Sequence, residues 1–301
     1  MRRRGGGCGW RDSLSEYEHA PSLTIAARKL VIEPRRPFQL LDWRELAEYR
    51  DLLFFFAWRD VSVRYKQSVL GWLWAFVQPL SQMLVYSLIF GVLLRIPSDG
   101  VPYPLLVLSG IIGWTYFTNV VQQAANSLVA EQSVITKVYF PRLLVPLTPA
   151  LAYLVDLSIA IGFTLAGVVI FTGQLHIGVL TLPLFALMLV VCAVSVGTLL
   201  AGLNVRYRDV RQGTSLLLQL GMYATPVIWP LSQLEHKLPN AYWLAGINPI
   251  ASVVQGFRFA LLGQAPPPPL MVAASVVATI GLAFGSLWYF HHVEDVVADI
   301  V

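Results

Sequence analysis

The chain has 301 residues, 56% of them hydrophobic and only 13% charged, against about 45–50% and about 25% in a soluble domain. That balance makes it a membrane protein, and the net charge of +4 calls for no nucleic acid because the basic residues gather at one end. Cys8 and Cys192 are the two cysteines, which excludes a disulfide framework or a four-cysteine zinc site.

Residues 1–40, rich in Arg, Gly, Pro and Ser, predict a flexible basic cytosolic tail. "MRRR" is followed by "GGGCGWRDSLSEYEHA" and not by an apolar run, so the amino terminus is expected to be retained and cytosolic. The glycines of "GGGCG" are neither preceded by a strand nor followed by a phosphate-binding lysine.

Residues 41–60 predict an amphipathic helix. Trp43, Leu46, Tyr49, Leu53, Phe56 and Ala57 recur at steps of three or four, while Arg44, Glu45, Glu48 and Asp51 fall largely elsewhere, and Asp42 is placed to cap with Glu45 three residues on. Such a helix either packs on its own protein or lies in the cytoplasmic interface of the membrane.

Residues 61–301 form the membrane domain, with apolar stretches near 68–94, 104–124, 143–171, 178–203, 213–230 and 269–290. Each has about the 17–25 residues that a spanning helix needs. The expected fold is therefore an all-α bundle of six transmembrane helices, since helices satisfy their own backbone groups in lipid. A seventh apolar stretch, 241–262, is interrupted by Asn248 and Pro249 and carries Arg258, a costly residue at bilayer depth. It reads as two short re-entrant helices dipping in from the outer face, and "QAPPPPL" at 264–270 as a stiff linker into the last span.

Of the 21 Lys and Arg residues, only Arg95, Lys237 and Arg258 fall on one side of these spans. The positive-inside rule then puts both termini in the cytoplasm of a multi-pass inner-membrane protein.

No GxxxxGK[ST] occurs, so ATP is not bound by a P-loop in this sequence. The cluster His291, His292, Glu294 and Asp295 reads as a polar exit from the last span rather than a metal site, because adjacent histidines point to different helix faces. Asp156 lies inside the third span, where an ionisable group is by default a functional candidate; the plainer reading is a carboxyl packed between helices, meeting Ser158 or another subunit. Phe76, Tyr86, Trp114, Tyr116, Phe117, Tyr223 and Trp229 are candidate channel aromatics, although interfacial anchoring accounts for such rings equally well.

At 59–80 the sequence "RDVSVRYKQSVLGWLWAFVQPL" passes abruptly from charge to an uncharged, tryptophan-bearing run. This stretch resembles the start of the first span in ABC-2 type permeases that export polysaccharides, as do "KVYFPRLLVPL" at 137–147, "NVRYRDVRQ" at 204–212, and "ATPVIWPLSQL" with "NPIASVVQGFRFALLG" between 224 and 263. The long basic tail and the four prolines at 266–269 depart from that pattern.

The resemblance implies a homodimer with a channel between its copies, served by two copies of a separate ABC ATPase subunit. No cofactor is expected in this chain, with ATP and magnesium held by the partner subunit and no catalytic residue here. It implies a lipid-linked polysaccharide, O-antigen-like, as substrate, moved across the inner membrane; a drug or small lipid, or an ATPase-independent secondary transporter, are the alternatives. Arg59, Arg64 and Lys66, with Gly71, Trp72 and Trp74, are then candidates for meeting the substrate headgroup at the cytoplasmic threshold. Glu131, Lys137, Tyr139 and Arg142 map onto the ATPase-coupling loop, and Pro226, Pro230, Asn248, Pro249 and Arg258 onto the outer gate.

Overall fold

A computed structural model describes residues 47–66, 71–137, 140–207, 209–237, 239 and 242–300, with the backbone alone given for the last seven. Among the described residues the chain is helical and holds no strand. Helix α1 runs over Arg50–Lys66. A 3-10 turn at Gly71–Leu73 leads into α2, Trp74–Tyr86, which continues as a π-helical turn over Ser87–Leu93. Helix α3 covers Tyr103–Ala130, α4 is the single turn Gln132–Ile135, and α5 covers Leu144–Thr172. Helix α6, Leu182–Arg206, follows the 3-10 turn Ile177–Thr181, and α7 is Val210–Ala224. The short α8, Ser232–Lys237, and a 3-10 turn at Tyr242–Ile247 precede α9, Pro249–Leu262, and α10, Pro269–Ile300.

Five helical segments are long and apolar enough to cross a bilayer: Gly71–Leu93, Tyr103–Ala130, Leu144–Thr172, Ile177–Arg206 and Pro269–Val293. Each lies close to a predicted stretch. The expected span at 213–230 differs, because α7 has 15 residues, a length of about 22 Å at 1.5 Å per residue, short of a hydrocarbon core of about 30 Å. It stops where Thr225 adopts an extended backbone, φ −95° and ψ 141°. The residue before a proline is disfavoured in the α region, and Pro226 follows.

Helix α3 is the hub. Most of its length is buried, with α5, α6, α7, α9 and the first span packed around it. The main core gathers Leu106, Ile111, Val120, Leu189, Val253 and Phe257 from three of these helices. Lipid tails are as apolar as leucine, so packing rather than hydrophobic exclusion must hold such helices together, and small residues let them approach. At Gly110 of α3 a Cβ would stand 2.6 Å from the Val227 carbonyl oxygen. The first span, by contrast, leaves Leu84, Val85, Leu88, Val92 and Leu93 exposed.

Helix α1 extends six residues beyond the predicted boundary at 60, because Val61 and Tyr65 continue the face that packs on Ala152 of α5. Leu53, Phe56 and Ala57 turn inward as the sequence pattern predicted, yet Phe54, Phe55 and Trp58 are exposed, so apolar surface lies on two sides of the helix. The Asp42 cap falls outside the described residues.

Candidate functional site

Charge at the junction of α1 and the first span is absorbed by pairing. Arg64 reaches across to α5, where its guanidinium pairs with Asp156 and sits 3.8 Å from the ring centroid of Tyr153. The Tyr65 hydroxyl donates to the other Asp156 oxygen, and its ring stacks on Trp72 with centroids 4.0 Å apart and planes 7° from parallel. Asp156 is therefore held by α1 and not by Ser158, whose hydroxyl donates back to the Leu154 carbonyl at 2.7 Å. Gly71 makes the turn into the membrane possible, since its φ of +50° is a conformation costing other residues roughly 1–2 kcal/mol.

Beneath this junction lies a cavity of about 290 Å³ lined by Arg64, Gly71, Trp74, Tyr116, Tyr153 and Asp156, with Gln78 and Asn119 adding polar groups. Its size sits at the lower edge of the 300–1,000 Å³ typical of small-molecule sites. A guanidinium at the wall of such a space offers forked donors that suit phosphate oxygens, and aromatic faces beside it suit an apolar or sugar surface. Here Asp156 occupies the Arg64 fork.

One and a half turns earlier on α1, Arg59 donates to Glu131 at 2.5 Å and to Asp60 at 3.0 Å. Glu131 caps the carboxy-terminal end of α3, and its hydrogen bond raises the Arg59 pKa above the ordinary value against the lowering effect of burial. This pair borders a second cavity of about 290 Å³ that Asn126, Phe140 and Arg211 also line. Helix α1 is thus tied at two points, to the α3–α4 loop through Glu131 and to α5 through Asp156.

At the opposite end of the bundle, Thr225–Pro230 is irregular chain whose carbonyls need donors. Fully buried Arg258 of α9 donates to the Val227 carbonyl at 2.8 Å and to that of Trp229 at 3.2 Å, and the Tyr103 hydroxyl donates to Ile228 at 2.8 Å. Asn248 caps α9 by accepting from the Ile250 N–H at 3.1 Å while its amide donates to Thr225 at 2.8 Å. Pro249 fits the first helical turn, where a missing N–H costs nothing. Pro226 and Pro230 are buried in the same clasp.

Residues 51–262 match the ABC-2 type transporter family. The chain belongs to that family. Among its relatives, the O-antigen export system permease protein RfbA of Myxococcus xanthus is 30% identical over 81% of this chain and 94% of its own length. The protein of the same description from Klebsiella pneumoniae is 27% identical over 69% of this chain and 79% of its own. The polysialic acid transport protein KpsM of Escherichia coli is 22% identical over 68% and 78%.

Seen as an ABC-2 transporter, the chain brings some predicted residues together and separates others. Arg64, Gly71 and Trp74 line one cavity and Trp72 stacks beside it, whereas Lys66 points to the exterior. Of the coupling residues, Glu131 faces Arg59, Lys137 is exposed, Arg142 is half-buried, and Tyr139 falls outside the described residues. Trp114, Tyr116 and Phe117 belong to the buried core, although the Tyr116 side also reaches the first cavity, donating its hydroxyl to the Ala150 carbonyl at 3.0 Å. Phe76 packs edge-on against Phe163, Tyr86 meets Met222, and Trp229 donates to the Tyr223 carbonyl. Tyr223 itself is 56% exposed.

Sequence reading missed Tyr65, Tyr153, Gln78 and Asn119 in the first cavity and Tyr103 and Thr225 in the outer clasp. Tyr153 was within reach: it precedes Asp156 by three residues, and side chains three apart share a helix face.

Proposed function

We propose that this ABC-2 family member is the transmembrane permease subunit of an ATP-driven exporter that carries a lipid-linked polysaccharide, O-antigen-like, from the cytoplasm towards the outer leaflet of the inner membrane. The names of the relatives support the substrate class. The observation that carries the reading to particular residues is the cavity at the α1 junction, where Arg64 and the rings of Trp74, Tyr116 and Tyr153 line one space. An anionic diphosphate at the lipid–sugar junction suits the guanidinium, and the rings suit what is attached to it.

In this reading α7 and the Thr225–Pro230 segment together make a sixth crossing, and the segment from Ser232 to Leu262 forms the re-entrant outer gate. The basic α1 side faces the cytoplasm, following the distribution of Lys and Arg. Helix α1 lies along the cytoplasmic interface with Phe54, Phe55 and Trp58 towards the headgroups. Two copies enclose the channel, and two ABC ATPase subunits supply the ATP and magnesium chemistry, docking near α4. Closure of the ATPases moves the Glu131 loop, and the Arg59 pair passes that movement to α1.

The test replaces Arg59, Arg64 and Lys66 with Gln and measures binding of a polyprenyl-diphosphate-linked saccharide to correctly inserted protein. A loss of tenfold or more is expected; unchanged binding overturns the headgroup role.

A further inference from the structure

A third cavity, of about 550 Å³, lies at the Arg258 end of the bundle, remote from the α1 junction, between the segment assigned to the outer gate and the prolines that lead into α10. Its lining combines the carboxylates of Asp99 and Glu235, the amides of Gln255 and Gln264, the ring of Tyr242, and a wall made by Pro266, Pro268 and Pro269. The volume falls within the range of small-molecule sites.

The wall is preset. Residues 266–268 lie outside any helix and Pro269 opens α10; consecutive prolines outside a helix hold an extended, hydrogen-bond-free conformation with little entropy to lose, and Gln255, buried in α9, donates to the Ala265 carbonyl at 2.9 Å, pinning the strap to the core. Asp99 is likewise fixed, accepting from the Ser232 hydroxyl at 2.9 Å. Gln264 carries a buried Nε2 without an acceptor among the described residues, and buried donors are almost always paired.

The lining also discriminates. Among the described residues the lining contains no Lys or Arg, which disfavours an anion, and no group of three or more metal-ligating side chains occurs. Carboxylates that accept and amides that both donate and accept match the paired hydroxyls of a sugar. Tyrosine and proline rings offer flat apolar faces to its C–H side.

We propose that this cavity is an exit-side saccharide subsite, which takes one or two uncharged sugar units of the emerging chain. The inference rests on the polysaccharide-export reading and on the outward placement of this end. Gln264 supplies a donor to a sugar oxygen, Glu235 and Asp99 accept from hydroxyls, and the proline strap forms the platform. A glycan held here after each stroke is kept from slipping back.

The experiment uses the full chain in lipid nanodiscs and lipid-free oligosaccharides of two to six sugars, hydrolysed from the producing cell's own surface polysaccharide. Saturation-transfer NMR is expected to show binding to the unaltered protein, weakened at least threefold by Gln264→Leu and by Glu235→Gln, and unchanged in Leu88→Ala on the exposed face of the first span. As a second variant, Ser232→Cys in a Cys8→Ser background is alkylated with a bulky maleimide, which is expected to abolish the signal. Absence of binding by the unaltered protein, or binding by Gln264→Leu and by the alkylated Ser232→Cys protein as strong as that of the unaltered protein, overturns the subsite. If lipid-linked polysaccharide is still exported in that case, the subsite alone has failed. If nothing is exported with the ATPase subunit present, the export reading has failed with it.

Discussion

Replacing either partner of the Arg64–Asp156 pair exposes how α1 is held. The side chains are 29% and 25% exposed. Removing one partner of a fully buried pair costs about 3–5 kcal/mol, chiefly because the other charge is left uncompensated. With about a quarter of each group reachable by solvent, screening lowers this to about 2 kcal/mol. Arg64→Gln leaves a carboxylate inside a spanning helix with only the Tyr65 hydroxyl. Asp156→Asn leaves a guanidinium over the Tyr153 ring and keeps the shape of the site. Each single variant is expected to lower the thermal midpoint in detergent micelles, followed by tryptophan fluorescence, by about 4–8 °C. The double variant has no stranded charge, and its cost should fall short of the sum of the singles by at least about 1 kcal/mol. Additive costs would refute the account of Asp156 as an anion placed for Arg64.

The core aromatics and the exposed one should part company: Phe117→Ala, 8% exposed in the parent, is expected to cost about 3–5 kcal/mol of stability. Tyr223→Ala, by contrast, leaves stability within about 0.5 kcal/mol and lowers the export rate, as read from melting curves beside a transport assay. Gly110→Val puts a Cβ 2.6 Å from the Val227 oxygen, and overpacking of that kind costs about 1–3 kcal/mol, measurable as a lower midpoint and greater protease sensitivity of the Thr225–Pro230 segment. For the second tie on α1, Arg59→Glu should lower export driven by the ATPase subunit, and the swap Arg59→Glu with Glu131→Arg should restore it.

The long helices were legible because twenty or so apolar residues leave a chain little choice in lipid. The break at Asn248–Pro249 was legible for a related reason, since a capping amide followed by a proline at the first helical position is a local device. Helix α7 was not, because hydropathy runs on through Val227, Ile228 and Trp229 while the backbone has already left the helix at Thr225. The carbonyls of Val227, Ile228 and Trp229 are satisfied by Arg258 and Tyr103, which stand 29 to 125 residues away in sequence, and no local pattern reports such partners. The same limit hid the Arg64–Asp156 pair: each residue was picked out singly, but only packing of α1 on α5 makes them one site. Trp114 and Phe117 were picked for their chemistry, yet whether a ring faces a pore or a core depends on the neighbours of α3, which surround it on nearly every side.

A permease of this kind is expected to move a lipid-linked polysaccharide only when a separate ATPase drives it. The most direct measurement is transfer of radiolabelled lipid-linked glycan across the bilayer of proteoliposomes holding this chain with or without its ATPase subunit. Transfer is expected to require both the ATPase and hydrolysable ATP, and to fall at least tenfold in the Arg59, Arg64 and Lys66 to Gln variant. Transfer by this chain alone, driven by a proton gradient or by none, would contradict this requirement.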